Sequence, residues 1–81
     1  MSGMSFEVAA QKMRELKGVA EADMEELYGL YKQATVGDNN KDRPGILSLM
    51  ERRKWDAWTK KKGMSQEKAK EEYIKKAESL L

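Results

Sequence analysis

Three glycines and three serines divide this chain into four segments, and each segment repeats its apolar residues at helical spacing. Ser5 precedes a stripe of Phe6, Ala10, Met13 and Leu16, which Gly18 closes. Met24, Leu27, Leu30 (or Tyr31) and Ala34 mark a second helix, predicted from about Glu21 to Val36 with Gly37 as its cap. Ser48 and Glu51 have the spacing of a capping box, so a third helix is predicted from there through Lys62, stopped by Gly63. Ser65 opens a fourth, with Ala69, Tyr73, Ala77 and Leu80 (or Leu81) as its stripe. Apolar residues three and four apart give a helix one dry face. A serine hydroxyl satisfies an orphan N–H at the start, and glycine accepts the left-handed turn at the end. Gly29, inside the second helix, is expected to cost about 1 kcal/mol against alanine, which a helix of this length tolerates.

The second and third helices are joined by a long connection, from Gly37 to about Leu47. It is rich in turn residues: Asp38-Asn39-Asn40 and Arg43-Pro44-Gly45. Helix–helix connections usually run to about 2–8 residues, and a longer one lets the third helix lie elsewhere than beside the second. The reading is one all-α domain over residues 1–81, a four-helix bundle. A single proline and 37% charged residues favour this over a β-sandwich.

Composition removes several function classes. With no cysteine and no histidine, the chain has no disulfide, thiolate nucleophile, imidazole base or zinc–thiolate site. Its carboxylates pair with lysines along helix faces, as Glu72 does with Lys68, and do not form an acid–base dyad. No enzymatic activity, metal or cofactor is expected. Apolar runs are too short to span a bilayer, and Met1 to Ser5 lack the features of a signal peptide, so the default compartment is the cytoplasm. The net charge of +2 is unevenly spread. Residues 32–62 carry nine basic and four acidic side chains, so the middle of the chain is the electropositive part.

In that context Tyr28, Tyr31 and Lys32 stand at i, i+3 and i+4 on one side of the second helix. Two phenol rings beside an ammonium suit a ligand with a flat heteroaromatic ring and a phosphate. An isolated helical tyrosine is ordinarily a core-edge residue, and the two readings overlap, since a binding groove in a bundle is an unfinished part of its core. Lys54 leaves the third helix at the edge of its apolar stripe, four residues before Trp58, where its ammonium can reach a bound anion. Trp55 and Trp58 are read as support for that helix. Met13 is read as core, Met24 and Met50 as candidates to face an acyl chain, and Lys60-Lys61-Lys62 as a solvated run.

Tyr31-Lys-Gln-Ala-Thr-Val-Gly-Asp38, Asn40, Arg43-Pro-Gly45, Lys54-Trp-Asp-Ala-Trp58, Lys62-Gly63, Ser65 and Tyr73-Ile74 occur in one order. From Phe6 to about Leu80 the chain resembles the acyl-CoA-binding protein family, also called diazepam-binding inhibitor or endozepine. The resemblance implies an up-down-down-up bundle with an overhand connection between helices 2 and 3. It also implies an intracellular carrier and pool former for long-chain fatty acyl-CoA esters. Carried over by position, it implies ligand contacts at Tyr28, Tyr31, Lys32, Lys54 and Tyr73, with Arg14 where the family usually has a lysine. Met24 and Leu27 then line the groove for the acyl chain. Two departures stand out. Met50 replaces a lysine found in many members, with Arg52 and Arg53 near enough to restore the field, and Glu25 replaces an apolar residue beside the acyl-facing methionine.

A monomer is expected, in transient contact with membranes and with enzymes that use acyl-CoA, and not with nucleic acid. The alternative is a basic helical module that binds an anionic membrane or a nucleic acid. Glu51 and Asp56 interrupt the basic patch and weigh against it. A peptide-binding bundle is a further rival, and it gives Lys32 and Lys54 no special purpose.

Overall fold

The computed structural model describes residues 4–81. It contains four α-helices, α1 (Phe6–Glu15), α2 (Glu21–Thr35), α3 (Leu49–Thr59) and α4 (Gln66–Leu80), and no strand among the described residues. Ser5 and Ser65 cap α1 and α4 as expected, their hydroxyls accepting from the Val8 and Lys68 N–H groups at 3.2 and 3.0 Å. Gly18, Gly37 and Gly63 all take positive φ, the conformation in which a side chain is strained.

The opening of α3 differs from the expectation. The Ser48 side chain makes no capping bond, because its backbone (φ −98°, ψ 67°) is not in the extended region that a capping serine uses. Its N–H is instead engaged in a turn with the Gly45 carbonyl at 2.9 Å. The helix also ends earlier than Lys62. The N–H groups of Lys61 and Lys62 bond three residues back, to Trp58 and Thr59, so the chain tightens into turns after Thr59.

Cross-helix pairs fix the direction of each element. Lys76 pairs with Asp23 at 2.6 Å while Gln66 Nε2 donates to the Ala34 carbonyl at 3.2 Å, so α4 runs antiparallel to α2. Arg53 pairs with Glu21 and Lys61 with Glu26, so α3 runs parallel to α2. Phe6 stacks on Tyr31 while Met13 shares a wall with Leu27, so α1 is antiparallel to α2. The bundle is therefore up-down-down-up. The third helix lies beside the second, and what the long connection sets is its direction. Over residues 36–48 the chain has to return the length of the fifteen-residue α2, about 22 Å at 1.5 Å per residue.

Side chains from α3 pin that return. Trp58 is buried, and its indole N–H donates to the Gly37 carbonyl at 2.7 Å. Trp55 donates to the Lys41 carbonyl at 2.8 Å, and Asn39 Nδ2 to the Thr59 hydroxyl at 3.1 Å. Arg43 makes two bonds to the Asp56 carboxylate, at 3.1 and 2.9 Å. At the other end, Asp38 Oδ1 accepts from Gln33 Nε2 at 2.8 Å and from the Gly63 N–H at 2.9 Å, which ties the connection to the α3–α4 turn. Lys61 is thus not part of a solvated run: its ammonium lies 2.6 Å from Glu26 with most of the side chain covered.

The main core is built by α1, α2 and α4 from Phe6, Ala9, Ala10, Met13, Leu27, Leu30, Ala34, Ala69, Tyr73 and Ala77. Ala9, Ala69 and Ala77 are fully buried, which lets the helices that carry them approach closely. Gly29 has a similar purpose, and it is required here instead of merely tolerated. A Cβ at that position would drive into the Ala57 carbonyl, whose carbon would lie 2.9 Å away. Alanine at an open helical site gains about 1 kcal/mol over glycine. Gly29→Ala is expected to lose about 1–3 kcal/mol by overpacking, and the reversed sign is measurable by urea unfolding.

Asp38 supplies a second test. The Gly63 N–H, then the Gln33 amide, hold its carboxyl below the usual aspartate range. A lowered folded-state value stabilises the protein above the unfolded value of about 3.9, and that stability drains away as pH falls through the folded value. Asp38→Asn should therefore flatten the acid limb of a Tm–pH curve below about pH 4, without touching the alkaline limb.

Candidate functional site

In this bundle α1 packs broadly on α4, and α3 on α2, while α2 also packs on α4. The face of α2 that carries Met24, Leu27, Tyr28 and Tyr31, at i, i+3, i+4 and i+7, is left incompletely covered between α1 and α3. A groove of two arms results. The first, of about 440 Å³, is lined by Ala10, Met13, Arg14, Met24, Leu27, Tyr28, Tyr31, Lys32 and Tyr73. The second, of about 530 Å³, is lined by Val19, Glu21, Met24, Glu25, Tyr28, Met50, Arg53 and Lys54. Met24 and Tyr28 belong to both arms. Each arm is of the size that takes an organic ligand.

Seven of the eight residues singled out from the sequence, Arg14, Met24, Leu27, Tyr28, Tyr31, Lys32 and Tyr73, line the first arm, and Lys54 lines the second. Lys54 is not remote from the others, since its ammonium sits 5.7 Å from the centre of the Tyr28 ring. Met50 faces the same arm, with Arg53 beside it. Met13 is both core and groove wall, being buried while it lines the first arm. Val19 and Arg53 were not picked out as site residues. Arg53 stands three residues from Met50 on α3, which is a readable signal, whereas Val19 lies between helices and carries no periodicity.

The two arms differ in chemistry. The first holds two cations and three phenols. Phe6, Tyr31 and Tyr73 form an aromatic cluster from α1, α2 and α4, with ring centres 5.1–6.2 Å apart. Phe6 stacks on Tyr31, and Tyr31 also lines the groove, where it offers aromatic surface to an entering ring. Lys32 Nζ lies 4.8 Å over the Trp58 ring, at the groove edge, and among the described residues it has no salt bridge to a carboxylate. Arg14 is steadied by Gln11, whose Oε1 accepts from Nη2 at 3.1 Å. The second arm has apolar walls in Val19, Met24 and Met50 and a charged rim, where Arg53 pairs with Glu21 and Lys54 stands 4.0 Å from Glu51. These rim pairs are exposed and contribute little to stability.

Burial is the main cause that raises the Tyr28 phenol above its ordinary value, with the Glu51 charge adding to it. Burial also raises Tyr73, against the opposing pull of Arg14. Both hydroxyls are neutral hydrogen-bond donors throughout the physiological range. Among the described residues no group of His, Cys, Asp and Glu could hold a metal ion, and no helix is long and apolar enough to cross a membrane.

Residues 4–77 match the family model described as acyl CoA binding protein. The chain is 49% identical to acyl-CoA-binding protein 2 of Saccharomyces pastorianus and 48% identical to acyl-CoA-binding protein of Saccharomyces cerevisiae. Each match covers 100% of this chain and 94% of the relative. It superposes on the crystal structure of Oryza sativa acyl-CoA-binding protein 2 with a TM-score of 0.89 at 47% identity, covering 93% of this chain and 84% of that one.

The phenols can be tested without a ligand. Spectrophotometric titration should show Tyr28 and Tyr73 ionising above the ordinary tyrosine value of about 10, and Tyr73→Phe should remove one late-titrating group. The folded-state values are raised, so the stability they carry is present below the unfolded value and is lost as pH rises through the folded ones. The alkaline limb of the Tm curve should therefore be less steep in Tyr73→Phe.

Proposed function

Because the chain belongs to the acyl-CoA-binding protein family, we propose that it binds long-chain fatty acyl-CoA esters and serves as a monomeric cytoplasmic carrier and pool former for them. It binds its ligand and performs no chemistry on it. The single domain of residues 1–81 suffices for this role. The observation that carries the reading is the two-armed groove, cationic and phenolic in one arm and apolar-walled in the other, joined at Met24 and Tyr28.

An acyl-CoA has two ends with opposite needs. The tail is expelled by water, and each methylene buried stabilises the complex by about 0.8 kcal/mol. Met24, Leu27 and Met50 offer it an adaptable apolar wall. The nucleotide end is flat and anionic. Its adenine can stack on Tyr31 or on Tyr28. Its ribose 3′-phosphate draws Lys32, Lys54 and the Tyr73 hydroxyl, with Arg14 as a further cation across the arm. Glu25, at the edge of the apolar arm, makes that end less hospitable to hydrocarbon than an apolar residue would and so bears on chain length. The basic-module reading loses ground because Glu21, Glu51 and Asp56 partner Arg53, Lys54 and Arg43.

Titration calorimetry with palmitoyl-CoA, coenzyme A and palmitate tests both halves of the ligand. Palmitoyl-CoA should bind far more tightly than either fragment. At a hundredfold excess over Kd it should stabilise the fold by about 2.7 kcal/mol, seen as a rise in Tm. Lys32→Ala should weaken binding by about 10–100-fold, the value of a charge-assisted hydrogen bond. A palmitoyl ester of dephospho-CoA that binds as well as palmitoyl-CoA would remove the phosphate assignment, and no heat with any fatty acyl-CoA would remove the function.

A further inference from the structure

The arm assigned to hydrocarbon is not lined by hydrocarbon throughout. Val19, Met24 and Met50 give it apolar walls, and Glu21, Glu25, Arg53 and Lys54 enter the same lining. Tyr28 is shared with the other arm, so the far end lies toward the start of α2, where Glu25 and Glu21 stand three and seven residues before Tyr28. Arg53 pairs with Glu21, which places the guanidinium at that end too. Glu25 and Arg53 also line a neighbouring cleft of about 380 Å³, where Asp56 and Lys60 join them. These two side chains are a partition between an apolar arm and a charged cleft. A chain end lying here touches a carboxylate and a guanidinium as well as thioethers.

Both groups have hydrogen-bonding capacity to spare. Glu25 is half-buried, and its carboxylate has no ion pair among the described residues. A guanidinium carries five N–H donors, and Arg53 meets Glu21 through Nη1, which leaves donors over. A methyl terminus pressed against these groups removes their water and returns no hydrogen bond, which is unfavourable. A hydroxyl terminus can donate to Glu25 and accept from Arg53 at once. The four charged side chains in the lining, Glu21, Glu25, Arg53 and Lys54, sum to zero, so a charged terminus finds no net attraction. The arm therefore suits an end that is polar and neutral.

We propose that the second arm selects acyl-CoA esters whose acyl chain ends in a hydroxyl group, with Glu25 and Arg53 as the residues that determine this specificity. The inference rests on the carrier reading of the same groove and names a substrate class within it. Met24 and Met50 hold the methylenes, and the partition receives the terminus. Hydrogen bonds to a charged group are the stronger kind, and a site built to make them discriminates against an analogue that lacks the hydroxyl.

Titration calorimetry tests this by comparing palmitoyl-CoA with its ω-hydroxy derivative, and dodecanoyl-CoA with its own. Two lengths are used because the reach of the chain beyond Tyr28 decides where the hydroxyl meets Glu25. In at least one pair the hydroxylated ester should bind the wild type more tightly. A plain hydrocarbon arm would do the reverse, since it strips water from the hydroxyl without replacing it. Glu25→Leu should swing the affinity ratio of that pair toward the unsubstituted ester by about tenfold or more. Glu25→Gln, which keeps an acceptor, should retain part of the preference. The readout is a ratio of two affinities in one protein, so a general loss of stability does not imitate it. Unsubstituted esters that bind as well or better in both pairs, or a ratio that Glu25→Leu leaves unchanged, overturn the inference and leave the carrier reading standing. Tighter binding of the matching ω-carboxy ester also overturns it, by assigning the terminus to Arg53 alone. No heat with any of these esters removes the carrier reading and the inference together.

Discussion

The parallel pairing of α2 and α3 is the constraint on which the rest of the molecule depends. Two consecutive helices joined by a short turn pack antiparallel, and only a connection that runs back along the first can set the second beside it in the same direction. Such a connection loses conformational entropy on folding and has few apolar residues of its own to offset the loss. The structure meets that cost from α3. Trp58 buries its ring and donates to Gly37, Trp55 donates to Lys41, and Arg43 locks onto Asp56. Gly29 completes the arrangement, because the two helices touch where any Cβ would meet the Ala57 carbonyl.

The groove follows from this pairing. With α3 on one flank of α2 and α1 committed to α4, the α2 face carrying Met24, Leu27, Tyr28 and Tyr31 is walled on both sides and roofed by neither. Binding surface and unfinished core are the same feature here. Residues such as Met13 and Tyr73 are buried by the fold's own packing and still present an edge to the groove. Desolvation raises the Tyr28 and Tyr73 phenols for the same reason, which keeps them as donors.

Trp58 also links the pinned connection to the charge of the site. Its ring lies beneath Lys32 at 4.8 Å and near Lys41 at 5.9 Å, so the side chain that fastens the overhand segment also steadies a cation at the groove's edge. Met50, Arg53 and Lys54 from the first turns of α3 line the apolar arm, and Met50 is also one of four exposed apolar side chains, with Ile46, Leu47 and Leu49, at the start of that helix. Position along α3 thus sorts its work: its start faces the outside, its middle lines the arm, and its end holds the connection.

The sequence by itself determined the four helices, their caps at Ser5 and Ser65 and their glycine stops. It also determined the length of the second connection and the set of side chains on one face of α2. These are local properties, set by period and by the conformational preference of single residues, and they can be read without knowing what packs where. The tertiary structure decided the rest. Ser48 failed to cap because the turn with Gly45 holds its backbone outside the extended region, Lys61 left the solvated run to meet Glu26, and Gly29 turned from a tolerated defect into a requirement. Val19 and Arg53 joined Lys54 at one arm although no spacing links Val19 to them. Apart from the local Ser48–Gly45 turn, each of these outcomes depends on a partner distant along the chain, brought close by the way the helices pack, and no periodicity within a single helix contains that information.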